Sequence, residues 1–324
     1  MKKLKLRTLL LALCAPWIAA APLSVANGAE FPRKPVTLVV GYGAGGGTDT
    51  YARAMASVAP EYMNFQPLVV VNKPGGSGVP AAKYVADSNA DGHTIHLASG
   101  GALYFSTQFR KAPVDPILDF KMVCQIGRLL PSVMVHQDSP FMNAKDLVEY
   151  ATLNPGKLRM ATPGRTSTWG IAGLAFLKRN GLRAQDVPAK GGAPARALVI
   201  GKQTDFGVFG IHLRRGFESQ VRPLGLLFPE RDPNNPDVET VLEQGVELTS
   251  VFTPMMIMVP KATPDDRVKA LDESCAKIAA HKSFVKLMQK SGLPVKYLNS
   301  ADATAKYNEM IVSWKPLVSE LKKK

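Results

Sequence analysis

Cysteine is scarce in this chain, with three in 324 residues at positions 14, 124 and 275. That excludes a small disulfide-built scaffold, and no two of them have the spacing of zinc ligands. Histidine is little more frequent. His93, His96, His136, His212 and His281 are scattered, and none belongs to an H-E-x-x-H motif or a nucleophile elbow. His93 and His96 lie on a predicted strand or its approach, three apart, and so point to different faces. Asp49 and Asp205 are the one conceivable carboxylate pair, and nothing around them indicates the near-neutral pKa that acid–base work needs. No metal ligand and no catalytic residue is assigned, the chain is not read as an enzyme, and no cofactor is expected.

Acidic residues are few as well, 26 against 40 Lys and Arg, a formal charge of +14. Beyond the N-terminus no segment approaches the about 18 apolar residues of a membrane span. At the N-terminus, Lys2, Lys3, Lys5 and Arg7 precede an apolar stretch from Leu9 to Leu23, followed by small residues through Ala26 and Ala29. This is the layout of a secretory signal peptide, expected over residues 1–29, with cleavage after Ala26 or Ala29. Pro16 and Pro22 interrupt a run too short for an anchor, and Leu13 denies Cys14 the small neighbour of a lipoprotein box. The mature chain is expected in the periplasm. Losing four basic residues leaves it at +10, either a solvated basic surface ending in Lys322-Lys323-Lys324 or a field drawing anionic ligands into a cleft. The basic residues are scattered rather than interleaved with aromatics, so nucleic acid is not an expected partner. Cys124 and Cys275 either pair or stay as buried thiols.

The length predicts two lobes rather than one small module. With 27 Gly, 25 Pro and only 20% charged residues, the chain is neither disordered nor a coiled coil. Residues 36–40 are a β-branched run cut off by Gly41-Tyr42-Gly43-Ala44-Gly45-Gly46-Gly47, after which Tyr51, Ala54, Met55, Val58 and Tyr62 recur at helical spacing. Further strands are predicted at 68–71 and 94–98, the latter ending in Ser99-Gly100-Gly101. The pattern restarts with a strand at 132–136, a helix at 144–153 and a strand at 158–160. That strand runs into Ala161-Thr162-Pro163-Gly164-Arg165-Thr166-Ser167-Thr168 and a helix bearing Ile171, Leu174 and Ala175. Strands alternating with helices predict mainly parallel sheets with ligands at the strands' carboxyl ends. Near the end, Thr263 reads as a helix N-cap before Pro264-Asp265-Asp266. Tyr307, Met310, Ile311, Trp314, Leu317 and Leu321 form a core-facing stripe.

Gly41-Tyr42-Gly43-Ala44-Gly45-Gly46 satisfies G-x-G-x-x-G, yet the next strand ends in Asn72-Lys73 where a ribose-binding acid belongs. Thr48 follows Gly47 with no P-loop lysine between them. What remains is an anion site: glycines admit the ligand to the backbone, and the helix start at Thr48, Asp49 and Thr50 offers unpaired N–H groups. The loop at 161–168 repeats this logic with the hydroxyls of Thr166, Ser167 and Thr168. Arg165 there either grips a carboxylate or sits in solvent.

Phe31-Pro32-Arg33-Lys34-Pro35-Val36 and Gly45-Gly46-Gly47-Thr48-Asp49-Thr50-Tyr51-Ala52-Arg53 resemble the opening of the extracytoplasmic solute receptors of tripartite tricarboxylate transporters, the Bug family. Asn72-Lys73-Pro74-Gly75-Gly76, Ala90-Asp91-Gly92-His93-Thr94, Asn154-Pro155-Gly156-Lys157-Leu158 and Val187-Pro188-Ala189-Lys190-Gly191-Gly192 continue it. Where relatives commonly read G-S-x-x-H-L, this chain has Thr166-Ser167-Thr168-Trp169-Gly170-Ile171, losing a histidine and gaining an indole. Where they read Pro-Tyr-Lys-Gly it has Pro188-Ala189-Lys190-Gly191, and the two departures point to a reshaped pocket.

The resemblance implies a two-lobe periplasmic binding protein type II fold of α/β class, each lobe a mixed, mainly parallel sheet flanked by helices, with a cleft that closes on a carboxylic acid. Lobe 1 is expected at 30–131 and 251–324, lobe 2 at 132–250. The ligand-binding residues expected are Tyr42, Gly43, Ala44, Gly47, Thr48, Asp49, Ser99 and Gly100 from lobe 1, and Thr162, Arg165, Thr166 and Ser167 from lobe 2. Asp205 either orients the far end of the ligand or caps structure. The expected function is capture of a small organic anion, a di- or tricarboxylate or an aromatic carboxylate, by a monomer that delivers it to integral-membrane transporter subunits. A ligand-sensing adaptor for a membrane signalling protein uses the same cleft, and a nucleotide-dependent enzyme is the remaining alternative.

Overall fold

The computed structural model describes residues 31–323; the signal-peptide reading lies outside them. Strand β1 (Val36–Val40) opens the first sheet and leads through α1 (Gly47–Val58) to β2 (Leu68–Asn72), then α2 (Val79–Ala86), β3 (Thr94–Ser99), α3 (Gly100–Phe109) and β4 (Phe120–Leu129). A second sheet takes β5 (Pro131–His136), α4 (Ala144–Leu153), β6 (Arg159–Thr162), α5 (Thr168–Arg179), β7 (Gln185–Pro188), α6 (Gly192–Ile200), β8 (Phe206–Gly210) and β9 (Val221–Leu226). The chain returns to the first sheet with β10 (Thr253–Pro260), α7 (Asp265–Ala280), α8 (Lys282–Lys290), β11 (Val295–Leu298) and α9 (Ser300–Lys322).

The strand orders are β11-β4-β10-β3-β1-β2 and β7-β6-β8-β5-β9. Where a helix joins successive strands the pairing is parallel, as expected: β1 with β2 and β3, β6 with β7 and β8. The strands at the two crossings reverse this. β10 lies antiparallel between β3 and β4, and β5 antiparallel between β8 and β9, so both sheets are mixed. Every residue of β10 is buried, which is why Thr-Pro-Met-Met-Ile-Met-Val-Pro shows no alternation: both of its faces are covered.

Helix α9 buries Tyr307, Met310, Ile311, Trp314 and Leu317, as the stripe predicts. The Trp314 ring packs 4.9 Å from that of Phe105, and its indole N–H donates to the Ser250 carbonyl (3.3 Å). One expected cap is displaced. Helix α7 starts at Asp265 with Pro264 before it, and the Thr263 hydroxyl is buried without capping it. Pro264 fixes the entry and Asp265 pairs with Lys121 instead.

Cys124 on β4 and Cys275 on α7 form a disulfide. It ties a helix to the strand beneath it across 151 residues of chain. Constraining so long an unfolded loop is worth roughly 3–5 kcal/mol. The double substitution Cys124→Ser/Cys275→Ser is expected to lower the unfolding free energy obtained from denaturant titration by that amount while leaving the fold, followed by circular dichroism, in place.

Candidate functional site

The glycine turn after β1 is held by side chains rather than by its own backbone. Asp49 Oδ2 accepts from the Gly45 N–H (2.9 Å) and from Arg53 Nε (2.9 Å), while Asp49 Oδ1 accepts from Asn72 Nδ2 (2.9 Å). Asn72 Nδ2 also donates to the Tyr42 carbonyl (2.9 Å). Burial opposes ionisation of Asp49, but the hydrogen bonds from Arg53, Gly45 and Asn72 outweigh it and keep the carboxyl below its usual range. The residue that argued against a ribose site thus braces the loop. With Asp49 spent on Gly45, the first N–H groups of α1 carry no side-chain cap.

The turn after β6 is built differently. Ser167 is the N-cap of α5: its hydroxyl accepts from the Gly170 N–H (3.0 Å) and donates to the Gly164 carbonyl (2.7 Å). A Cβ at Gly170 would run into the carbonyls of Gly164 and Arg165, so the turn folds tightly onto the helix start only with glycine there.

These turns meet at a cavity of about 540 Å³ between the two sheets, within the size range of small-ligand pockets. Four helix N-termini open onto it: α1 through Gly46, Gly47 and Thr48, α3 through Ser99 and Ala102, α5 through Ser167 to Trp169, and α6 through Gly191 to Ala193. Each presents unpaired N–H groups and a partial positive charge, so the convergence is an anion site. The Tyr42 hydroxyl, pushed to about 12 by burial against a lowering hydrogen bond with Ser99, stays protonated and donates to the Ser77 carbonyl (3.4 Å). The sheets approach closely here: a Cβ on Gly47 would sit 2.8 Å from His212 Nε2 of the other sheet's lobe.

Of the sequence-predicted residues, Tyr42, Gly43, Gly47, Thr48, Ser99 and Ser167 line this cavity. The others do not form its wall. Asp49 faces its own loop, and Ala44 is on the exposed outer side of the same turn. Gly100 is buried under α9, its carbonyl accepting from the Tyr307 hydroxyl (3.0 Å). Thr162 is fully buried and bonded to Asp186 (3.1 Å). Arg165 is exposed and leans toward the same Asp186 (3.7 Å), which offers it a carboxylate within its own lobe, and Thr166 stays beside it in the turn. Asp205 takes the structural alternative: it accepts from the Arg159 N–H (2.7 Å) and side chain (3.3 Å) at the start of β8.

Sequence reasoning missed Pro74 to Ser77, Lys190 to Ala193 and His212 as wall residues. Lys190-Gly191-Gly192 ahead of an apolar helical run is the same glycine-then-helix signal as residues 45–58 and could have been found by it. His212 gave no local signal. It follows β8 in a short 3-10 turn, and burial together with nearby Arg196 pushes its imidazole down to about 4.

Two mixed α/β sheets around an anion-accepting cavity define a two-lobe periplasmic binding protein. Residues 51–322 match the tripartite tricarboxylate transporter family receptor, and the chain belongs to that family, whose members are solute-binding receptors and not enzymes. It is 30% identical over 267 residues to the UPF0065 protein in the tcbD-tcbE intergenic region of Pseudomonas sp. (strain P51), covering 81% of this chain and 79% of that one. Among solved structures it is similar to R. palustris Rpa4515 with adipate, at 26% identity and a TM-score of 0.81, covering 89% of this chain and 97% of the other. It is similar also to MatC from Rhodopseudomonas palustris with bound malate, at 25% identity and a TM-score of 0.80, covering 89% and 100%.

The two buried imidazoles set a pH dependence. His96, whose Nδ1 lies 2.9 Å from the Val39 carbonyl, is pushed by burial to about 4, as His212 is. An unfolded imidazole takes up its proton near pH 6.5. Stability is therefore full above that value and declines as pH falls toward about 4, on the order of 3 kcal/mol for each histidine. Imidazole NMR titration is expected to show both rings neutral at pH 5.5; a ring titrating near 6.5 would contradict the assigned burial.

Proposed function

We propose that this chain captures a small organic carboxylate in the periplasm, between two lobes that close over it, and delivers it to a tripartite tricarboxylate-type membrane transporter. The observation that carries this reading is the convergence of four helix N-termini, two from each sheet's side, on one cavity. Neither side alone encloses an anion, so contacts from both are complete only when they are together, and the ligand shifts an open–closed population. The lobes are taken as 30–131 with 251–324, and 132–250; the hinges are then Leu130, between β4 and β5, and the return into β10. The adipate and malate found with two relatives support a carboxylate. Among the described residues no helix is long and apolar enough to cross a membrane, which is compatible with a separate membrane partner.

Thermal denaturation against a panel of malate, succinate, adipate, citrate, terephthalate and benzoate tests the binding step. A ligand at a hundredfold excess over its Kd stabilises by roughly 3 kcal/mol, a rise of several degrees. Gly47→Val is expected to remove that rise, because its side chain occupies the space of the His212 ring, while the ligand-free protein still unfolds cooperatively. Delivery is tested by uptake of the same acid, which is lost on deleting the gene if the protein serves transport.

A further inference from the structure

The chain's excess of positive charge is not evenly spread. Between Glu273 and Asp302 there is no acidic residue but five lysines, Lys277, Lys282, Lys286, Lys290 and Lys296, so this one stretch supplies five of the 14 net positive charges. All five are exposed, and among the described residues none is in an ion pair. Lysines on other helices are balanced. Lys83 faces Asp87 at the end of α2, Lys145 faces Glu149 on α4 and Lys306 faces Glu309 on α9, each three or four residues away.

Three of the five form one ridge on α8. Lys282, Lys286 and Lys290 are spaced four apart, which puts them along one side of the helix over about 12 Å. Phe284 and Met288 are buried in the core that α8 shares with α1 and α7. Lys286 lies two residues from each of them, so the ridge points directly away from that core. Like charges four apart weaken a helix, and α8 has no acid of its own to offset them. Its packing holds it in place instead. A face that repels itself in the free protein is one that an anionic partner relieves.

The residues at this end of the lobe favour lipid over an acidic protein as that partner. The ridge has lysine and no arginine, and a hydrated point charge suits a diffuse layer of headgroups, whereas arginine's fork grips individual carboxylates. Leu287, on the flank of the ridge, is 41% exposed. Phe65 is 86% exposed, three residues after Tyr62, whose ring packs 6.0 Å from that of His281 at the start of α8. Basic chains beside bare apolar ones are the composition of surfaces that rest on anionic membranes.

We propose that the face of α8 bearing Lys282, Lys286 and Lys290 is a docking surface for anionic lipid headgroups, which holds the receptor against a membrane. None of these residues lines the cavity, so the surface is independent of the ligand site. The attraction is electrostatic and weakens with salt.

Sedimentation with vesicles tests it, using the exported protein purified from the periplasm. At low salt, partitioning onto phosphatidylglycerol/phosphatidylethanolamine vesicles is expected to exceed that onto phosphatidylcholine/phosphatidylethanolamine vesicles by about tenfold or more, a difference that high salt removes. Lys282→Gln/Lys286→Gln/Lys290→Gln is expected to lose about tenfold of the anionic binding, and Lys286→Gln alone about fivefold. The triple variant unfolds no earlier on heating, since it removes repulsion, and binds carboxylates as the parent does. Lys111→Gln/Lys157→Gln/Lys261→Gln removes the same charge from exposed lysines outside α8 and is expected to lose less than about threefold. No preference for anionic vesicles, or equal losses in the two triple variants, overturns the proposal and leaves the carboxylate reading standing. So does retention on membranes only where transporter subunits are present, which assigns the face to an acidic protein surface.

Discussion

The unpaired N–H groups at the starts of α1, α3, α5 and α6 are what the rest of the site depends on. A helix leaves its first amides without intrahelical acceptors, and most proteins hand them to a capping side chain or to water. Here the turns are braced so that the amides stay available. Asp49, Arg53 and Asn72 hold the first turn from behind, and Ser167 holds the second by bonding one amide of its helix and the Gly164 carbonyl. The result is positive potential without arginine in the cavity wall. Fixed dipoles of this kind need no side-chain ordering when an anion arrives, and in a space screened from water they act more strongly than exposed charges do.

The architecture exists to bring these starts together. Parallel strands joined by helices put every helix start at the same edge of its sheet, and the two crossings turn those edges toward each other. The antiparallel strands β5 and β10 are the first strands after the two crossings, and each ends up between two strands of its own sheet, β5 between β8 and β9 and β10 between β3 and β4. The closeness of Gly47 to His212 shows how little spare volume separates the sides. The apolar side chains of Leu129, Leu213 and Trp169 line the same cavity, and beside low-dielectric surface the dipoles of the helix starts act more strongly than they would in bulk water.

Much of this was legible in the sequence. Strand, glycine turn and helix at residues 36–58 and again at 159–179 are short-range patterns, fixed by β-branched runs, turn residues and helical periodicity within a few residues of one another. They located two of the four helix starts and excluded a dinucleotide loop through Asn72. The family resemblance added the two-lobe fold. Strand β10 was not legible, since a strand covered on both faces loses the alternation that marks it. Neither was the disulfide, because spacing says nothing about which strand a distant helix covers.

The sequence by itself determined which segments end in amide-bearing turns and that an anion suits them, because capping and turn formation are decided by immediate neighbours. Only the tertiary structure decided which of those turns face one cavity, that Arg165 and Asp205 are engaged with Asp186 and Arg159 instead, and that Gly47 comes to lie against the His212 ring. Pairing and burial depend on residues far apart in the chain, and a group's partner is set by whatever the fold places beside it.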